Sequence, residues 1–138
     1  MRSPSTKLAF GAIAAILVVV ALLGIVYEYA QQRTLMRSHA AAAAGGDPSR
    51  GEAMFIQYGC GSCHALKNVR GATGSVGPPL DGIAVRAIIG GHLANTPDNM
   101  QRWIRDPQHV APGTAMPDLH VGGQDARDMT AFLYTRAK

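Results

Sequence analysis

Two cysteines and a histidine stand within five residues, Cys60-Gly61-Ser62-Cys63-His64, and the chain has no other cysteine. Thiols three positions apart lie about one helical turn from each other. At that spacing both sulfurs can form thioethers with the two vinyl groups of one porphyrin, and the next imidazole falls under its iron. The run therefore points to one covalently attached haem, held by Cys60 and Cys63, with His64 on the metal. Two other readings use the same pair. A thioredoxin-like redox couple needs a βαβ setting, and no alternating β-rich run surrounds these cysteines. Half of a zinc site needs two further ligands at sensible spacing. His92, His109 and His120 are present, but they form no recognisable second half.

A haem held by one histidine needs its opposite face explained. Six methionines are present. Met1 is the initiator and Met36 lies in the tether, while Met54, Met100 and Met129 fall on apolar helical stripes, where packing explains them. Met116 alone sits in a loop framed by Pro112, Gly113 and Pro117, 52 residues after His64. His109 and His120 are rival ligands, each better read as an exposed loop histidine. A thioether opposite histidine raises the reduction potential and closes the iron to small ligands. That suits electron transfer, with no small-molecule substrate and no enzyme activity. The alternative is a haem peroxidase-like or gas-binding sensor, which requires a vacant or displaceable sixth position.

These residues need elements to carry them. Leu8 to Tyr27 is a run of twenty uncharged residues, about 30 Å as a helix, the thickness of a bilayer core. A cleaved signal peptide has a shorter core, about 7–15 residues, with a small-residue cleavage site close behind. Here Tyr27, Glu28, Tyr29, Ala30, Gln31 and Gln32 follow instead. The expected organisation is a short N-terminus over 1–7, a transmembrane anchor over 8–27, a linker over 28–46 and a soluble domain over 47–138. Lys and Arg number two on each side of the anchor, so charge does not orient it. Residues 1–45 carry a net +3 and residues 46–138 only +1. The basic balance thus belongs mostly to the anchor and is no nucleic-acid footprint.

Ala40–Ala44 favours helix and Gly45-Gly46 stops it. Asp47-Pro48 starts another, as a cap followed by proline, expected to run to Tyr58 with Gly51, Met54, Phe55 and Tyr58 on one side. Thr96-Pro97 opens a second, with Met100, Trp103 and Ile104 as its stripe, and Asp106-Pro107 ends it. A third starts near Gln124, with Ala126, Met129, Phe132 and Leu133 on its apolar face. A short helix is expected over Ala84–Ile89, and loop elsewhere.

With these residues in view, 47–138 resembles the class I cytochromes c across essentially its whole length. The resemblance implies an all-α, three-helix haem domain. Gly51 and Phe55 match the first-helix glycine and aromatic; Gly77-Pro78-Pro79-Leu80-Asp81-Gly82 matches a Gly-Pro-x-Leu-x-Gly segment; Phe132-Leu133 matches the C-terminal helix pair. It further implies that the Pro78 carbonyl accepts the His64 ring N–H, that Arg86 neutralises a haem propionate, and that Trp103 lies beside the methionine face. Haem attachment in this family occurs outside the cytoplasmic membrane, which implies a bacterial inner-membrane protein with its haem domain in the periplasm. A narrower likeness runs through Ala94–Met100, Trp103–Gln108, Pro112-Gly113 and Met116-Pro117. It is similar to the cytochrome c domain fused to subunit II of some haem-copper oxidases, although no cupredoxin domain or dinuclear copper cysteines are present. The implied partners are redox proteins: a quinol-oxidising complex or soluble donor, and a terminal oxidase as acceptor. Lys67 and Arg70 are candidates for steering an acidic partner.

Overall fold

A side-chain cap followed by proline opens three helices in turn. A computed structural model describes residues 4–136, with side chains from residue 10 onward except at 36 and 37. Arg2 and the last two residues of the expected 47–138 domain lie outside the described residues, as does the Lys7 side chain. The chain divides into two compact units, Met1–Leu35 and Met36–Lys138.

Helix α1 spans Pro4–Ala44. In the first unit its described large apolar side chains, from Phe10 to Leu35, are all exposed. Among the described residues this is the one helix long and apolar enough to cross a membrane. Within the second unit the last turns of α1 are packed: Ala40 and Ala44 are buried, and Gln101 Nε2 donates to the Ala44 carbonyl at 3.1 Å. Gly45 ends the helix in the left-handed region, φ 64°, its N–H returning to the Ala41 carbonyl at 2.8 Å.

Helix α2 is Pro48–Gln57, capped by Asp47, whose carboxylate accepts the Ser49 N–H at 2.8 Å. Helix α3 is Pro97–Arg105, capped by Thr96, whose hydroxyl accepts the Asn99 N–H at 3.3 Å. Asp106 ends α3 in a non-helical conformation, as a residue before proline must. It then caps a four-residue helix α4, Pro107–Val110, accepting the His109 N–H at 3.1 Å. Helix α5 is Gly123–Tyr134.

The expected helix over Ala84–Ile89 is absent. A single 3₁₀ turn, Ile83–Val85, gives way to β1, Ile88–Ile89, which pairs antiparallel with β2, Leu93–Ala94. Gly90 and Gly91 both take positive φ and turn the chain into a hairpin. Adjacent β-branched Ile88 and Ile89 suit that strand.

The core forms where α2 crosses α5. Gly51 lies directly on the Asp128 backbone and the Phe132 Cβ, with no room for a side chain. Beside it the Phe55 and Phe132 rings pack with centroids 5.8 Å apart. Ala126, Met129, Phe132 and Leu133 are buried, and Asp128, Thr130 and Ala131 with them.

Candidate functional site

The Cys-x-x-Cys segment follows α2 directly. Gly59 takes φ 72°, and Cys60–Ser62 forms one 3₁₀ turn. The His64 N–H bonds the Cys60 carbonyl at 3.0 Å, which brings both sulfurs and the imidazole onto one short coil. A second strand of chain is laced alongside. Gly74 N–H bonds the Gly61 carbonyl at 3.0 Å, Gly77 N–H the Cys63 carbonyl at 2.9 Å, and Leu80 N–H the Ala65 carbonyl at 2.8 Å.

This lacing fixes His64. Its Nδ1 lies 2.8 Å from the Pro78 carbonyl oxygen. A carbonyl only accepts, so Nδ1 is the donor in this contact and Nε2 is left without a part in it. Gly77 lies flat against the ring; a Cβ there would overlap its Cε1 and Nδ1.

A cavity of about 570 Å³ opens beside the ring, within the range of about 300–1,000 Å³ typical of cofactor sites. Cys60, Cys63, His64, Pro78, Arg86, Trp103 and Met116 all line it. Its remaining wall is mostly apolar, with Phe55, Leu80, Ile89 and Met100 among the contributors. Both thiols are free of disulfide. Burial pushes the Cys60 thiol up to about 11, so it is neutral at physiological pH. Among the described residues no three His, Cys, Asp or Glu side chains gather as a metal site, and β structure is limited to a two-stranded hairpin and an isolated antiparallel bridge, Ala65 with Thr73. The zinc and thioredoxin-like readings therefore lack their structural setting.

Arg86 is half-buried at the cavity edge. Its guanidinium donates to the Pro79 carbonyl and to the Asp81 carbonyl at 3.0 Å, and so braces the loop that holds His64. Trp103 lies against Gly90, where a Cβ would come within 2.6 Å of the indole. Three polar residues that support the site escaped the sequence reading. Asn95 Nδ2 donates to the Ile83 and Arg86 carbonyls at 2.7 and 2.8 Å. Its Oδ1 accepts from Tyr134 OH at 3.1 Å, a phenol that burial, then the charge of Asp98, pushes up to about 12. Gln108 bonds the loop carrying Met116. Asn95 and Gln108 stood inside the segments that carry the narrower likeness, but their own types and spacing showed only turn and cap roles.

The family model for cytochrome c matches residues 48–137. The chain belongs to the cytochrome c family. Its haem-binding, electron-transfer character follows from that membership. Cytochrome c oxidase subunit 2 of Alkalihalophilus pseudofirmus is 37% identical over 87 residues, 62% of this chain and 24% of the relative. The protein of the same name from Bacillus subtilis is 23% identical over 103 residues, 73% of this chain and 29% of its own length. A third, from another Bacillus, is 37% identical over 87 residues, 60% of this chain and 24% of the relative. The chain thus spans about a quarter of the length of the curated relatives it matches. No solved structure matches it. As a cytochrome, the chain presents residues that fit a haem: an apolar cavity of cofactor size, two free thiols on its wall, and a histidine on that wall whose ring is held by Pro78 and Gly77.

Proposed function

We propose that this chain is a membrane-anchored carrier of single electrons, an all-α, three-helix haem domain on one transmembrane helix. One haem c would be attached at Cys60 and Cys63 and ligated by His64 and Met116. The observation that carries this reading is that one apolar cavity gathers both thiols, His64 and Met116. A haem held by imidazole and thioether supplies a one-electron iron couple of raised potential.

The chain's own residues orient that group and keep water from it. The Pro78 carbonyl retains the Nδ1 proton, fixing the ring and making Nε2 a better donor. Met116 stands on a loop tied down at its main chain. Trp103, Ile89 and Met100 wall the cavity. Arg86 has five N–H donors, and those beyond the Pro79 and Asp81 bonds would meet a propionate. The ring proton of His64 is committed to a carbonyl, so it does no acid–base work.

Exposed apolar side chains along the first unit support insertion of α1 into a bilayer. At the outer end of that stretch Tyr27 accepts from Gln31 at 2.7 Å and Arg33 lies over the Tyr29 ring at 4.6 Å. Such rings and cations suit a membrane interface. The N-terminus would be cytoplasmic and the haem domain periplasmic. The oxidase subunits among its relatives favour a haem-copper terminal oxidase as acceptor, in a respiratory chain, with a quinol-oxidising complex or soluble donor upstream.

An optical spectrum of the purified full chain tests the carrier reading. A low-spin ferric haem with a weak red methionine-to-iron band, and a ferrous form inert to carbon monoxide, is the expected result. A high-spin haem that takes carbon monoxide readily would replace it with the gas-binding or peroxidase-like reading. Copurification in mild detergent identifies the partner complex; the expected companion is a terminal oxidase.

A further inference from the structure

We propose that Gln108 is the positioning residue for Met116, setting how firmly that thioether holds its place. The inference rests on the reading of Met116 as the axial ligand. Gln108 Nε2 donates to the Thr114 carbonyl and to the Met116 carbonyl, each at 2.8 Å. Its Oε1 accepts the Gly113 N–H at 3.3 Å. One half-buried carboxamide thus spends both N–H groups and its oxygen on three main-chain positions of one loop. The loop is irregular, with Gly113 at φ 83°, and Pro112 and Pro117 in it have no N–H to give.

Gln108 is itself well fixed. It lies on α4, between buried Pro107 and His109, whose N–H is capped by Asp106 at 3.1 Å. The bond to the Met116 carbonyl is made at the ligand residue's own backbone, so it sets where the side chain starts. Replacing a flexible loop by a preorganised one lowers the ordering cost of each binding event. Exposed His109 and His120 flank the loop, and neither lines the cavity that Met116 lines.

Two variants of the full chain test this. Gln108→Ala removes all three bonds; Gln108→Glu keeps the volume and the acceptor but loses both donors to the carbonyls. In each, covalent haem content and the helical circular dichroism spectrum should stay at wild-type values. The red methionine band should weaken, the reduction potential should fall, and carbon monoxide should bind the ferrous form about tenfold more readily, the effect expected for losing hydrogen bonds of ordinary strength. If Gln108→Glu keeps the wild-type band and stays inert to carbon monoxide, the residue acts by bulk alone and the inference fails. Met116→Ala run in parallel separates the two claims. Loss of the band there with no change in the Gln108 variants overturns only the positioning role; an unchanged band there overturns the ligand assignment itself. Hydrogen exchange in the unmodified holoprotein needs no variant: the Gly113 amide should exchange more slowly than the Ala115 amide, and equal rates would overturn the proposal.

Discussion

A methyl group on Gly77 would overlap the His64 ring, so this glycine is demanded by a neighbour thirteen residues away in the chain. The ring cannot retreat without breaking its Nδ1 bond to Pro78. Gly77→Ala should therefore displace the imidazole, cut the yield of covalently loaded protein severalfold, and weaken folding by roughly 1–3 kcal/mol, the range of steric changes in packed sites. Absorbance per mole of purified polypeptide and a denaturant titration measure the two effects. This residue also shows what was legible. The two thiols and His64 are adjacent, so their chemistry is written in local spacing. Met116, proposed as the second ligand because prolines and a glycine frame it, lines the cavity with the thiols and His64. Pro78, which holds the His64 ring, was named only through the family resemblance, and the roles of Asn95, Tyr134 and Gln108 were not legible. Asn95 reaches Tyr134 across 39 positions, and Gln108 acts on carbonyls, which every residue has. A carbonyl partner leaves no mark in a sequence.

The starts of α2 and α3 were readable at the level of the element, because a cap and a proline are neighbours; Asp106-Pro107, read only as an end, also starts α4. The α2–α5 junction was only half readable. The stripe Ala126, Met129, Phe132 and Leu133 is visible by period, but Asp128, on the same helix and 2% exposed, is not. Its Oδ1 accepts the Asp47 N–H at 2.7 Å, Gln124 Nε2 at 2.9 Å and Arg50 Nη2 at 3.1 Å, and Arg50 Nε stands 3.1 Å from Oδ2. Burial by itself raises this carboxyl, but the Asp47 N–H, Gln124 and Arg50 outweigh it and bring it below the usual value. A lowered folded value means the unfolded chain binds the proton more readily. The stabilisation is therefore complete above the ordinary carboxylate range, about 4, and is lost as pH falls through the lower folded value. Asp128→Asn should cost about 1–3 kcal/mol at neutral pH, since one carboxamide oxygen replaces two charged acceptors. It should also flatten the acid limb of the stability profile below about pH 4. Thermal melts of both proteins across pH 3–7 check this; parallel acid limbs would assign the sensitivity elsewhere. The misread stretch Ala84–Ile89 teaches the complementary lesson. Its apolar residues fit a helix by count, but Gly82 before it and Gly90-Gly91 after it all sit at positive φ, which leaves room for a turn and a two-residue strand.

For the molecule as a whole, two surfaces need an apolar partner that the polypeptide does not supply. The first is α1, whose exposed valines and leucines would meet lipid under the proposed anchoring. Lysines in place of Val19 and Val20 would each cost about 2.5–3.5 kcal/mol at the bilayer centre. That pair should move the haem-stained band from the carbonate-washed membrane fraction to the soluble one. The second is the cavity. Its wall includes Phe55, Ile83, Met100, Ile104, Met129 and Leu133, which are also members of the buried core. The pocket is therefore the middle of the domain, and α2, α3 and α5 pack around it. Without a bound group this mostly apolar wall of a cavity of about 570 Å³ would face water, at roughly 25 cal/mol per Å² of apolar surface, against a net stability of only about 5–15 kcal/mol for a folded domain. A chain unable to attach haem would not keep such a hollow; it would collapse on its apolar residues and lose the fixed places of His64 and Met116. Cys60→Ala with Cys63→Ala should accordingly yield a colourless protein that keeps α1 helicity but lacks a cooperative melt for the second unit. Near-ultraviolet circular dichroism of Trp103, which walls the cavity, reports on that unit. A sharp Trp103 transition at the holoprotein's temperature would show that the fold stands without the porphyrin.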